Sequence, residues 1–259
     1  MSKRLLAPCI ISFDAFGTLY TPREPISLSY HRLARQFGIN KPVQELDKEF
    51  PTVFTGMMKE FPNYGKHSNN SKIQSCDDWW SELIVRLFKL ESFHTNAQSE
   101  KFCKMLLNYF TSKVAYEVYP DVVPTLEYIK KKNIPMIISS NSDSRLRDVL
   151  QDLSLSQYFE GEYLSYELGV SKPSRDFFEK IRSLEKVNGQ IWHIGDEFNK
   201  DYVGVSEAGI NWEGILIERD YKKRRDLLEA TGVEAIAYLT DIKQFIDSDR
   251  APRQAVKSD

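Results

Sequence analysis

Three short apolar runs, each ending in polar side chains, constrain this chain more than any other feature. Ile10, Ile11 and Phe13 lead into Asp14; Met136, Ile137 and Ile138 lead into Ser139, Ser140 and Asn141; Ile191, Trp192 and Ile194 lead into Gly195 and Asp196. Runs this short and this apolar form strands buried on both faces, the environment of a parallel sheet. Ligands of open α/β sheets gather in the crevice beyond the carboxyl ends of such strands. Asp14, followed by Gly17 and Thr18, therefore stands where chemistry is done. A carboxylate that ends a strand also caps its own turn, so this segment alone leaves function and turn structure evenly matched.

Strand signals are unevenly spaced along the chain. After Tyr20, with Pro22 and Pro25 following, no strand is expected before Ile134. Leu28, Leu33 and Phe37 recur instead at helical spacing, as do Trp79, Trp80, Leu83, Ile84, Leu87 and Phe88, and then Phe102, Leu106, Tyr109 and Phe110. Pro62, Gly65 and a Ser/Asn cluster make Phe61 to Ser75 a loop. From Asp121 helix and strand alternate. Helices are expected to Lys132, from Ser144 to Leu153, from Ser174 to Leu184 and through Val205. Strands are expected from Ile134 to Ser139, near Tyr163, up to Asp196, from Gly214 to Glu218, and at an edge from Val233 to Tyr238. This alternation predicts an α/β fold with a doubly wound parallel sheet. The expected division is a discontinuous core of residues 1–20 and 118–247, a helical region over 21–117, and a polar, disordered tail over 248–259.

Composition narrows the class. The 259 residues are 41% apolar with a net charge of −2, a balance that favours neither nucleic acid nor membrane. No apolar stretch approaches the ~20 residues that cross a bilayer. The first buried strand begins so near Met1 that a cleaved targeting peptide is not expected. Cys9, Cys76 and Cys103 are odd in number and form no close pair, which suits free thiols in a reducing, cytoplasmic setting. Lys130-Lys131-Lys132 and Lys222-Lys223-Arg224-Arg225 are readable as nuclear-import patches, but a solvated helix face is the commoner use of such runs. His193, on the strand before Asp196, is expected to be a hydrogen-bonded core residue.

Two further segments complete a set. Gly169-Val170-Ser171-Lys172-Pro173 lies between the second and third runs, and Asp201 follows Asp196. Strand-end Asp14, the hydroxyl and amide groups of Ser140 and Asn141, Lys172 and the Asp196/Asp201 pair, in that order, resemble the four motifs of the haloacid dehalogenase superfamily. The likeness covers Asp14 to Asp201 and continues to about Ile217. Phe61-Pro62-Asn63-Tyr64-Gly65, Asp78-Trp79-Trp80 and Ser140 to Leu146 resemble more narrowly the subfamily of haloacid dehalogenase-like hydrolase domain-containing protein 3.

The resemblance implies a Rossmann-like core with an all-helical type 1 cap inserted after the first strand. It makes Asp14 a covalent nucleophile, the strategy that splits one hard step into two. Lys172 would supply fixed positive charge, and Thr18, Ser140 and Asn141 would join it in binding a phosphoryl group. Asp14, Asp196, Asp201 and the main-chain carbonyl of Phe16 would hold Mg²⁺, a hard ion suited to oxygen ligands. The partner implied is a small phosphorylated molecule.

Phe16 departs from the pattern. Phosphatases of this superfamily carry a second Asp there, the general acid that protonates the leaving group, a contribution of about 10² to 10⁴ in rate. Three readings follow: a magnesium-dependent hydrolase limited to good leaving groups or borrowing an acid from the cap, Glu197 or Asp143; a haloacid-dehalogenase-like reaction at carbon, which Asp14-Ala15-Phe16-Gly17-Thr18 resembles but which the acid pair opposes; or a catalytically inactive binding protein.

Overall fold

Alternation along the buried strands decides which layer each side chain meets. In the computed structural model, which describes residues 6–209 and 211–248, seven strands are present among the described residues: β1 (Pro8–Phe13), β2 (Tyr20–Pro22), β3 (Tyr116–Val118), β4 (Met136–Ser140), β5 (Gly161–Leu164), β6 (Gln190–Gly195) and β7 (Trp212–Leu216). Five of them form one sheet in the order β5-β4-β1-β6-β7, with every neighbouring pair parallel. Ile11, Phe13, Ile138, Trp192 and Ile194 face one side, where Leu126 and Ile129 of the helix Val122–Lys131 cover them. Ile10, Ile137 and Ile191 face the other, against Phe177, Phe178 and Ile181 of the helix Arg175–Glu185. The sheet is thus buried on both faces, as its near-continuous apolar strands require.

The strand order locates the site. From β4 the chain steps outward to β5, and from β6 outward to β7, so the direction of winding reverses around β1. The crevice opens at such a reversal point. In register, Phe13 lies between Ile138 and Ile194, and the next residue is Asp14.

Between β2 and β3 the chain is helical. Helices Ile26–Arg35, Val43–Glu60, Cys76–Phe88 and Ala97–Tyr109 enclose apolar clusters of their own. One holds Tyr30, Leu33, Leu46, Ile84, Phe88 and Phe102, and another Met57, Phe61, Trp79 and Leu83. The helix Cys76–Phe88 starts on a capping box in which Ser75 and Asp78 each bond the other's backbone N–H, at 3.1 and 3.0 Å.

Three expectations are corrected. A strand pair does interrupt the stretch from Tyr20 to Ile134: β2 and β3 run antiparallel, with Tyr20 opposite Val118 and Pro22 opposite Tyr116. Three residues each, one of them proline, are too few to show a period. Val233 to Tyr238 is not a strand; only Ile236 bridges to Ile217. The Asp241 carboxylate accepts the N–H groups of Ala237 and Tyr238 at 3.1 and 3.0 Å and turns the chain into a short helical segment instead. Within the loop after Phe61, Pro62–Gly65 makes one helical turn in which Asn63 and Tyr64 have φ of 50° and 55°. Ser248 ends the last helix, and the rest of the expected tail, 249–259, lies outside the described residues. No described helix is long and apolar enough to cross a membrane.

Candidate active site

The site is assembled from three strand ends and one loop. Asp14 follows β1 and donates its N–H to the Ile194 carbonyl at 2.8 Å, extending the ladder by one bond. Gly17, at φ +83°, has no side chain because a Cβ there would lie 2.2 Å from Oδ2 of Asp196. At the end of β6 a Cβ on Gly195 would similarly lie 2.2 Å from Cγ of Asp201. These two glycines let the backbone pass close enough for the carboxylates to converge. One oxygen each of Asp14, Asp196 and Asp201 falls within 4.8 Å of the others.

Lys172 enters from its loop, fully buried, and uses all three ammonium protons. Nζ donates to Oδ1 of Asp14 at 2.8 Å, Oδ1 of Asp201 at 2.6 Å and the Ser139 carbonyl at 2.9 Å. Its position is fixed by Asn141, whose Nδ2 donates to the Lys172 carbonyl at 2.8 Å while its Oδ1 accepts the Lys172 N–H at 2.7 Å. The side-chain amide of Asn141 is therefore committed to holding the lysine loop. The Ser140 hydroxyl lies against Asp14 and favours its charged form. Thr18 is buried away from the crevice, with its hydroxyl donating to Oδ1 of Asp196 at 3.3 Å.

Beneath Asp201 lies a polar ladder that sequence reasoning did not assemble. Ser12, Ser139 and His193 point to the same sheet face. The two hydroxyls are 2.5 Å apart and lie 3.1 and 3.2 Å from Nδ1 of His193. Nε2 of His193 sits 3.0 Å from Oδ1 of Asp201. Burial lowers the imidazole's pKa, which keeps it neutral, so Nε2 carries the proton and donates it. The Glu197 N–H donates to the other Asp201 oxygen at 2.9 Å. The signal for this ladder was the period-two alternation itself, which puts Ser12 on the same face as Ile10 and Asp14.

Electrostatics separate the three carboxylates. Burial alone would raise Asp201, but Lys172 and His193 outweigh it and hold its pKa well below the usual range. Burial pushes Asp14 up to about 6, with Lys172 opposing. Asp196 is pushed up to about 7, by burial first and then by Asp14 and Asp201. No described cation lies within ion-pair reach of Asp196, whereas Asp14 and Asp201 share Lys172.

Asp14, Phe16, Ser140, Asn141, Lys172 and Asp201 line one cavity of about 390 Å³, whereas Asp196 and Thr18 do not line it. Phe16 is 45% exposed, its ring edge-on to Tyr20 and Tyr116 at 5.9 and 6.4 Å. Helical residues close over the cavity: Tyr64 donates its hydroxyl proton to the Asn141 carbonyl at 2.9 Å, and the Trp80 Nε1–H donates to Asp143 at 2.7 Å. Asp143 also takes two bonds from the Arg145 guanidinium, at 2.8 and 2.7 Å. Burial favours its acid form, but Arg145 prevails and lowers its pKa, so Asp143 is poorly suited to donate a proton.

A family model described as haloacid dehalogenase-like hydrolase matches residues 10–209. The chain belongs to that family of hydrolases. Its relatives include Uncharacterized protein YMR130W of Saccharomyces cerevisiae, 32% identical over 85% of this chain and 74% of that one. Another is haloacid dehalogenase-like hydrolase domain-containing protein 3 of Xenopus laevis, 27% identical over 78% of this chain and 82% of that one. Among solved structures, YfnB of Bacillus subtilis bound to magnesium superposes with a TM-score of 0.63 at 15% identity, covering 95% of this chain and 100% of that one.

The dehalogenase-like hydrolases generally use Mg²⁺, and the acidic cluster of this member fits such an ion. Three oxygen donors converge, the ligand type that magnesium prefers. Their three negative charges are met by one lysine, and the surplus falls on Asp196.

Proposed function

We propose that the protein is a magnesium-dependent phosphoryl hydrolase that uses Asp14 as nucleophile on substrates whose leaving group departs without a proton. The observation that carries this reading is Asp196, a carboxylate without a cation partner set against Asp14, on a chain with Phe16 in the general acid's place. Asp14, Asp196 and the Phe16 main-chain carbonyl would hold the ion. Asp201 would contribute from its place against Lys172 and His193. The magnesium would neutralise the site and offset charge on the phosphoryl oxygens.

The rest belongs to the chain. A carboxylate oxygen of Asp14 bonds to phosphorus, the bond to the leaving oxygen breaks, and the leaving group keeps the electron pair. Water then attacks the aspartyl phosphate, releasing inorganic phosphate, which retains the water's protons, and restoring the Asp14 carboxylate. Lys172 moves one of its three N–H groups onto the phosphoryl oxygens, and Ser140 adds a donor. Residues 21–117 act as the cap over this step, on a core of 1–20 and 118–247.

Acetyl phosphate tests the reading directly, because acetate leaves unprotonated. Turnover that requires Mg²⁺ and falls by about 10³ or more in Asp14→Asn is the expected result. Chloride released from 2-chloropropionate without metal would favour the carbon-centre reaction instead. Phe16→Asp is expected to raise turnover of poor leaving groups such as alkyl phosphates by up to about 10²; no gain would mean that a missing acid is not what limits the site.

A further inference from the structure

The cavity beside Asp14 changes character as it passes Phe16 into the helical region. Around the nucleophile it is polar, whereas beyond Phe16 its wall carries the rings of Tyr30, Phe50, Phe54, Trp80, Phe110 and Tyr116 alongside aliphatic side chains such as Ile84 and Leu106. Phe50, Phe54 and Phe110 are only half-buried although they pack against the buried clusters of the helical layer, and Phe16 itself is 45% exposed. Apolar surface kept open along an interior wall is costly until something apolar covers it.

The charged groups on this wall are already paired. Arg145 is bound to Asp143, which also takes the Trp80 N–H, and Lys200 is bound to Glu197 at 2.7 Å. No described lining residue offers an unpaired cation for a second phosphate or a carboxylate. One buried polar atom, the Ser142 hydroxyl, lacks a partner. The lining hydroxyls of Tyr20 and Tyr30 likewise form no hydrogen bond among the described residues, so beside its rings the wall offers a few hydroxyls and no free charge.

We propose that the group carried by the phosphoryl is an aromatic ring, so that the substrate is an aryl or aroyl phosphate with its ring lodged among these side chains. This rests on the phosphoryl-hydrolase reading above. The two oddities of the site then have one explanation. A benzoate, or a phenolate made acidic by electron-withdrawing substituents, leaves with the electron pair of the broken P–O bond and needs no proton, and Phe16 in the acid's place presents a ring to it. Edge-to-face contacts of the kind Phe16 already makes with Tyr20 and Tyr116 extend to such a ligand. The cavity volume of about 390 Å³ falls among the ~300–1,000 Å³ clefts that take small molecules.

Two matched comparisons test the proposal on the full chain with Mg²⁺ present. Benzoyl phosphate is expected to exceed acetyl phosphate in kcat/KM by about tenfold or more, since their leaving groups are similarly acidic and differ in the ring. Phenylphosphonate, which cannot be hydrolysed at the ring, is expected to bind about tenfold or more tighter than methylphosphonate by calorimetry. Phe54→Ala and the gentler Phe110→Leu, each checked for folding by circular dichroism, should bring both ratios toward one. Acetyl phosphate turnover with no binding preference for the ring overturns the aromatic site and leaves the hydrolase. A binding preference without turnover of either acyl phosphate leaves the aromatic site and overturns the hydrolase. Failure of both phosphonates to bind, or equal binding, overturns the aromatic site.

Discussion

Gly17 is where a single missing side chain carries the most consequence, because the Asp196 carboxylate occupies the space a Cβ would take. Gly17→Ala adds about 1–2 kcal/mol of left-handed strain and drives Asp196 away from Asp14. Magnesium affinity measured by calorimetry is expected to fall about tenfold or more; an unchanged affinity would detach Asp196 from the metal. Lys172 is the complementary case. Removing its ammonium in Lys172→Met leaves Asp14 and Asp201 buried without their cation, a loss of about 3–5 kcal/mol in urea unfolding of the metal-free protein. A loss below about 1 kcal/mol would mean that the two carboxylates find other partners. Asp14 and Lys172 were legible as residue types because each sits at a strand end or in a proline-bounded loop. The duty of Asn141 was not, since its amide bonds a loop that only folding brings near.

Among the elements, the sheet was readable and its accessories were not. Buried strands such as β1 and β6 are six residues each, with Ile10, Ile11 and Phe13 in one and Ile191, Trp192 and Ile194 in the other, and these apolar residues write the burial into composition. The β2–β3 ribbon has three residues a side and depends on pairing across the whole helical region, which no local pattern records. Val233 to Tyr238 shows the opposite failure. Its composition suits a strand, yet the Asp241 carboxylate competes for its N–H groups and ends the pairing after one bridge. Helix starts are more local. The capping box of Ser75 and Asp78 stabilises the helix that carries Trp80, so Ser75→Ala is expected to cost about 1 kcal/mol in thermal or urea unfolding. No measurable change would show that tertiary packing alone sets that helix start.

At the scale of the whole molecule the acidic cluster ties stability to metal and pH. Asp14 and Asp196 have folded pKa values near 6 and 7, above their unfolded values, so the metal-free fold holds extra protons between about pH 4 and 7 and loses stability as pH rises through that window. His193, whose pKa is lowered, works the other way below its unfolded value. Asp201, held low, stays ionised in the fold throughout this window and adds slope only at its lower end, where the unfolded carboxylate still takes up protons. Magnesium binds the deprotonated carboxylates, so its stabilisation isolates the first two groups. The rise in melting temperature on adding Mg²⁺ is expected to be small at pH 5, half developed near pH 7 and full at pH 8; an equal rise at all three would remove Asp196 from the metal site. The sequence by itself determined the parallel α/β sheet, the strand-end position of Asp14 and the absence of an acid at Phe16, because burial and covalent order are local properties of the chain. Only the tertiary structure decided that Thr18 bonds Asp196, that His193 and Lys172 share Asp201, and that aromatic side chains line the same cavity as Asp14. Those facts depend on distances between segments far apart in sequence, set by sheet order and helix packing.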